Sequence, residues 1–323
     1  MKGPGSETVT VLGVRVDVLN EQDVRDRLRA ALLDPWDRNC RHVATVNPEY
    51  VMAARSDPGF AAALARADLT TADGIGLAVA ARLGSGGLWI RLPARVTGVD
   101  VTEWLAAEIA HDWPLFLLGG GQGVADAAAD TLRRRFPGIE VAGTWGGGTP
   151  QLEDDHQALT RIRESRARVL LVAYGAPGQV LWIDRNRAAL ATAGVRLAVG
   201  VGGAMDYLAG RVPRAPTLIR RLGLEWLYRL VREPWRWRRQ LVLPRFALLA
   251  ILEWLWRRGN RAGRYVRRMD PEGESSTSPK NPPTIGAPGD GGGIGGQPRL
   301  GIQGASGTDG PRPDEVLAPD NDR

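Results

Sequence analysis

"PLFLLGGGQGVADAAADTLRRRF", residues 114–136, decides the fold class. Its apolar run (114–119) reads as a strand, its glycines as a tight turn, and "VADAAADTLRRRF" (124–136) as a helix. The strand shows no alternation of polar and apolar residues, the pattern of a strand covered on both faces.

The same grammar recurs through residues 1–210. "TVTVLGVRVDVL" (8–19) reads as two short strands, "EQDVRDRLRAALL" (21–33) as a helix and "HVATV" (42–46) as a strand. Further strand candidates are "IEVAGT" (139–144), "RVLLVAYG" (168–175) and "VRLAVGVGG" (195–203), with helical "PGQVLWIDRNRAAL" (177–190) between the last two. Apolar strands alternating with helices predict a Rossmann-like, mostly parallel α/β sheet with helices on both faces. We place this domain at residues 1–210.

Two compositional breaks follow. Residues 211–268 carry sixteen arginines against three acids, Glu225, Glu233 and Glu253, and predict a helical appendage rich in arginine and tryptophan. Residues 269–323 are rich in Gly, Pro, Ser and Asp and poor in large apolar groups, so a disordered acidic tail is expected. From Asp270 onward four basic and nine acidic residues give −5, while residues 1–269 carry +11. The single cysteine, Cys40, excludes an intrachain disulfide and suits a reducing compartment. The opening "MKGPGSETVTVLG" lacks the apolar run of a signal peptide, and no stretch reaches the roughly 18 apolar residues of a spanning helix. A cytoplasmic protein, or one lying on the membrane, is the expectation.

Ligands of open α/β sheets bind beyond the carboxyl ends of the strands. Those ends carry Thr45 and Asn47 after "HVATV", and Asp73 in "LTTADGIG" (69–76). Asn47 suits a ligand contact or the cap of a helix begun by Pro48. Asp73 suits a helix cap or a general base in a cleft. Gly119, Gly120, Gly121 and Gly123 form a turn whose N–H groups suit a nucleotide pyrophosphate at a helix N-terminus, or form a plain tight turn. The spacing matches neither G-x-G-x-x-G nor a P-loop. Gln179 follows another strand in "AYGAPGQVLWI", and Asp206 follows the next in "VGVGGAMDYLAGRVPRAP", where an acid suits a ribose hydroxyl. "EDDH" (153–156) reads as a helix opening rather than a metal site.

"TVNPEY", "TADGIG", "RVTGVD", "LLGGGQGVA", "YGAPGQ", "GVGGAMDYLAGRVPRAP" and "GLEWLYRLVREPWRWRR" stand in the order seen in the WecG/TagA/CpsF glycosyltransferases, which the chain resembles over residues 9–245. The last two motifs are long and specific. The resemblance implies an inverting, metal-independent transferase without a cofactor. Such an enzyme moves N-acetylmannosamine or a related sugar from a UDP-sugar donor to a polyprenyl-pyrophosphate-linked acceptor in cell-surface polysaccharide synthesis. By motif match it implies Asp73 as the base, with Thr45 and Asn47 around the sugar. Arg95 and Gln179 would meet reacting or leaving groups, and Asp206 the nucleoside. It also implies that Arg229, Arg236 and Arg239 belong to a mobile appendage closing over the site, and we group Arg214 with them as candidate binders of the acceptor pyrophosphate. Val180 follows Gln179 where the family usually has Glu.

In the appendage, Arg229, Arg232, Arg236 and Arg239 would form one stripe on a continuous helix. Pro234 could instead start a second helix or kink the first. Paired phosphates call for such guanidiniums. The run "LVLPRFALLAILEWLW" (241–256) is broken by Pro244, Arg245 and Glu253, so it suits lying on the inner face of the cell membrane rather than crossing it. Two other classes compete for the same features, a basic nucleic-acid-binding protein and an NAD-dependent dehydrogenase. The motifs favour neither, and no nucleic-acid partner is expected. A homo-oligomer stays open.

Overall fold

A six-stranded, all-parallel sheet runs in the order β4-β3-β8-β7-β5-β6. The computed structural model describes residues 8–34, 36–84, 94–109, 111–221, 223–234 and 237–269. The expected acidic tail from residue 270 onward and the predicted phosphate ligand Arg236 therefore lie outside the described residues. In chain order, the hairpin β1 (Thr8–Val11) and β2 (Val14–Asp17) leads into α1 (Glu21–Leu33). Then come β3 (Arg41–Val46), α2 (Pro48–Ser56), α3 (Pro58–Ala65), β4 (Leu69–Ala72), α4 (Ile75–Gly84) and α5 (Gly98–Glu108). The second half holds β5 (Leu115–Gly119), α6 (Val124–Arg135), β6 (Val141–Trp145), α7 (Asp155–Ser165), β7 (Val169–Ala173), α8 (Gly178–Thr192), β8 (Leu197–Gly200) and α9 (Ala204–Leu208). The arginine-rich region forms α10 (Thr217–Arg221), α11 (Glu225–Arg232), α12 (Trp237–Gln240) and α13 (Val242–Met269).

The apolar strands are explained by where their side chains go. On β5, Leu115 and Leu117 face one layer of helices while Phe116 and Leu118 face the other, and β7 repeats this with Val169 and Leu171 against Leu170 and Val172. Successive strand residues point to opposite faces, so burial on both faces demands an unbroken apolar run. One layer comprises α1, α5, α6 and α9. The other comprises α7 and α8 beside a second cluster formed by the hairpin, α2, α3, α4 and α13. Asp17, buried on β2, ties the hairpin to the sheet by accepting from Thr70 N at 2.8 Å and Thr70 Oγ1 at 2.9 Å.

The appendage does not form one long helix. Helix α11 stops at Arg232, ahead of Pro234, and α12 starts afresh at Trp237. Proline lacks the N–H and clashes with the preceding turn, so the stripe of arginines is broken there. Pro244 falls in the first turn of α13, where a missing N–H costs nothing, and the helix runs on to Met269. Phe246 and Ala250 of α13 are buried among side chains of the hairpin, α2 and α4. Glu253 accepts from Leu12 N of the hairpin turn at 2.9 Å. The opposite side of α13 exposes Leu248, Ile251, Leu252, Leu255 and Trp256. Among the described residues no helix is long and apolar enough to cross a membrane.

Candidate functional site

The carboxyl ends of β4, β3, β8, β7 and β5 converge on one edge, and the sequence places a chemically distinctive residue after each. β3 and β4 pair in register from Val43–Leu69 to Val46–Ala72, and Asp73 N donates to Val46 O at 2.7 Å, so Asn47 and Asp73 leave adjacent strand ends side by side. Thr45 donates its Oγ1 to Gly200 O at 3.0 Å and is buried. Asn47 caps α2, its side chain accepting from Tyr50 N at 3.1 Å. The cap that Asn47 suited is thus formed.

Asp73 differs. Among the described residues no donor reaches its carboxylate, and α4 starts beside it without a cap from it. Arg95 sits next to it because Ala72 and Arg95 form a parallel bridge, with Val96 N donating to Ala72 O at 3.0 Å. Burial, then the Glu225 carboxylate, push the Asp73 carboxyl up to about 7, against the pull of Arg95 and Arg229. A carboxyl poised there changes charge near neutral pH, the property of a general base.

Gln179 is wholly enclosed. Its Nε2 donates to Tyr50 Oη at 2.5 Å, while Oε1 accepts from Gly175 N at 3.2 Å and Gly202 N at 3.0 Å. One side chain thereby fixes the turns after β7 and β8 against α2. Sequence reasoning missed Tyr50 as its partner, although Tyr50 lies inside "TVNPEY". After β5, Gly119, Gly120, Gly121 and Gly123 all have positive φ, which glycine alone adopts without strain. Gly123 stands at the N-cap of α6 with no side-chain hydrogen bond, and the first N–H of the helix, Val124 N, donates to Gly121 O of the same turn at 3.2 Å. Arg211 Nη2 donates to Gln122 O at 2.8 Å, pinning the turn.

The appendage reaches the same edge. Arg95 Nη1 pairs with Glu225 Oε2 of α11 at 3.1 Å. Arg229 stands 3.6 Å from Asp206, donates to Glu233 at 2.8 Å, and lies over the Tyr207 ring at 4.7 Å. Its guanidinium lies so close to Gly203 that a Cβ there would meet Nη1 at 2.5 Å. Arg229 Nη2 is buried and has no hydrogen-bond acceptor among the described residues. Arg239 pairs with Glu49 at 2.5 Å, and Arg214 with Asp100 at 2.5 Å and Glu103 at 3.2 Å. Arg95 and Arg229 thus stand within electrostatic reach of Asp73, Arg239 reaches α2, and Arg214 braces α5. Glu225, also missed as a site residue, was visible only as one of three acids among the arginines. Between the β4–α4 turn and the α10–α11 corner lies a cleft of about 290 Å³ lined by Ile75, Arg95, Thr217, Arg220 and Gly223.

Of the "EDDH" residues, Glu153 and Asp154 lie in a short 3₁₀ turn at Leu152–Asp154, and Asp155 and His156 open α7. Among the described residues no group of three or more His, Cys, Asp or Glu side chains could hold a metal ion.

The family model described as "Glycosyl transferase WecG/TagA/CpsF family" matches residues 9–269. The chain is 32% identical over 212 residues to an N-acetylglucosaminyldiphosphoundecaprenol N-acetyl-beta-D-mannosaminyltransferase of Bacillus subtilis, covering 65% of this chain and 79% of the relative. It is 34% identical over 205 residues to the protein of the same description from Bacillus spizizenii, covering 63% and 76%.

Proposed function

This chain belongs to the WecG/TagA/CpsF family of glycosyl transferases, and on that footing we propose that it transfers N-acetylmannosamine or a related sugar from a UDP-sugar to a polyprenyl-diphosphate-linked acceptor, with inversion and without a metal. The observation that carries the reading is Asp73, a carboxyl held near neutrality at a strand end and flanked by Arg95 and Arg229. As the acceptor hydroxyl oxygen attacks the anomeric carbon, Asp73 takes its proton. The bond from that carbon to the diphosphate oxygen breaks, and the leaving diphosphate departs with the electron pair. A single displacement inverts the anomeric centre.

Arg95 and Arg229 offset the charge developing on the leaving diphosphate, the work a metal does elsewhere. The unsatisfied Nη2 of Arg229 supports this role. The start of α6, which has a glycine turn and no side-chain cap, suits the nucleotide phosphates and Asp206 the nucleoside. Thr45 and Asn47 line the sugar, and Gln179 holds the two turns that shape the site. Arg214 and Arg239 supply positive charge on the acceptor side. The acceptor's lipid lies in a membrane, and the exposed apolar side of α13, with arginines nearby, suits docking on the inner membrane surface.

The test is a transfer assay with a panel of UDP-sugars, a short-chain lipid-diphosphate acceptor and excess EDTA. Transfer of one sugar, undiminished by EDTA, is expected. The kcat/KM profile should fall as pH drops through about 7, where Asp73 becomes protonated. Loss of activity in EDTA that magnesium or manganese restores would remove the metal-independent mechanism.

A further inference from the structure

The cleft beneath the α10–α11 corner contains more chemistry than the site above uses. Two of its lining side chains are guanidiniums, Arg95 and Arg220. Arg220 is braced from behind, Nε donating to Ala215 O at 3.0 Å and Nη2 to Thr217 Oγ1 at 3.2 Å. Arg95 is held by Glu225 at 3.1 Å, both side chains being mostly covered. The corner is seated by Gly223, whose φ is +73° and where a Cβ would meet Ile75 Cγ2 at 2.4 Å. Only a residue without a side chain closes the cleft this way.

We propose that this cleft is a diphosphate pocket whose cations are Arg95 and Arg220, and that Glu225 is an internal carboxylate competing with the ligand's phosphate for Arg95. A carboxylate and a phosphate approach a guanidinium with the same charge sign and fork geometry. A phosphate oxygen entering the cleft must therefore share or displace the contact Glu225 makes. Glu225 rides on α11, so the exchange loosens one tie between the appendage and the β4 edge. The groups facing Asp73 are Glu225 and Arg229 of α11, Asp100 of α5, Arg95 before it and Tyr50 of α2. Removing the Glu225 charge also lets Asp73 ionise at lower pH. The inference rests on the reading of this enzyme as one that handles diphosphates, supplied by the nucleotide donor or by the lipid acceptor.

Calorimetric titration of the full-length protein with UDP and, separately, with a short-chain prenyl diphosphate tests it. Glu225→Gln keeps the shape and removes the charge, and should tighten at least one ligand about threefold or more. Arg220→Gln should loosen the same ligand, and which ligand moves identifies the source of the diphosphate. The acid limb of kcat/KM should move to lower pH in Glu225→Gln and stay put in Arg220→Gln. A merely structural latch predicts the opposite sign in binding, looser in Glu225→Gln, whichever way the acid limb moves. That outcome, or unchanged affinity for both ligands in Arg220→Gln, overturns the pocket while leaving the transferase intact. If the unaltered protein binds neither ligand, both readings fall together.

Discussion

The sheet edge and the appendage hold their polar groups in opposite ways. At the edge, Thr45, Asn47 and Gln179 are bonded to backbone or to the buried Tyr50, within a core packed on both sides. In the appendage, Arg229, Arg239 and Glu225 are held by ion pairs, that of Arg239 exposed and the other two largely covered, and apolar side chains of α11 and α13 face outward. Neutral bonds inside a core have nowhere better to go. Ion pairs lining a cleft can be exchanged for a ligand's charges, because a phosphate entering there offers a guanidinium the same fork of oxygens that the carboxylate does. On the proposed reading, the edge holds position and the appendage exchanges partners.

The sharpest break in that contrast is Asp73, which belongs to the edge yet has no hydrogen-bond donor among the described residues. Asp73→Asn should reduce transfer by about 10²-fold or more with little change in melting temperature. Gln179→Leu should do the reverse in emphasis. It strands Tyr50 Oη and two backbone N–H groups, for about 1–3 kcal/mol of stability. Steady-state kinetics and thermal melts on both variants separate the roles. An Asp73→Asn protein that keeps a tenth of its turnover removes the base.

Next in size come the appendage arginines. Arg229→Gln and Arg239→Gln should each lower kcat/KM by about 10- to 10²-fold, because a charge-assisted bond to phosphate contributes roughly 1.5–3 kcal/mol. The folded state should barely change in Arg239→Gln, whose pair with Glu49 is exposed, whereas Arg229→Gln also takes the guanidinium away from the covered Glu233 carboxylate and should lower stability as well. If the variants instead keep normal kinetics, these arginines are struts and the appendage is as fixed as the edge.

How much of this the sequence revealed follows the same division. The parallel sheet was legible because two-sided burial forces continuous apolar runs on β5 and β7. Asp73, Asn47 and the glycine turn were legible because strand ends carry turn residues. The pairing of Arg95 with Glu225 was not, because it joins residues 130 apart through tertiary packing with no local signature. The arginine stripe read on a continuous helix depended on Pro234, and the chain does break there. The dual nature of α13 was also hidden. Its sequence shows greasy residues all round, but only the fold shows that Phe246 and Ala250 roof the hairpin cluster while Leu252 and Trp256 face out.

That duality changes how membrane docking is to be tested. Deleting the chain from Leu241 would strip cover from a core cluster as well as remove the exposed face. Leu252→Glu with Trp256→Glu leaves the packed side untouched. Each apolar side chain contributes about 1.5–3 kcal/mol when buried, so the pair should cut co-sedimentation with anionic vesicles by at least tenfold. High salt should weaken binding of the unaltered protein without abolishing it. A double variant that sediments as well as the unaltered protein places docking elsewhere.

The smallest effect expected concerns pH, and it separates the two regions by window. His42 on β3 is fully buried at the end of the sheet remote from Asp73, and neither ring nitrogen has a hydrogen-bond partner among the described residues. Burial, then the Arg187 guanidinium, lowers its pKa to about 4, against an ordinary 6.5. The folded protein thus keeps His42 neutral while the unfolded chain takes up a proton below about 6.5. The stability contributed by a neutral His42 is retained above that value and lost as pH falls toward 4, by at most about 1.4 kcal/mol per pH unit, while protonation of Asp73 works against that loss. His42→Phe should flatten this slope between pH 6.5 and 4 in thermal melts, even if the variant is less stable throughout. Activity should already decline through pH 7 on account of Asp73, before stability does. Asp73 acts with the opposite sign: its folded pKa of about 7 lies above its unfolded value, so its protonation stabilises the folded state as pH falls. A melting curve of the unaltered protein that begins to fall at the same pH as kcat/KM would remove the raised Asp73 pKa, and with it the separation of the two windows.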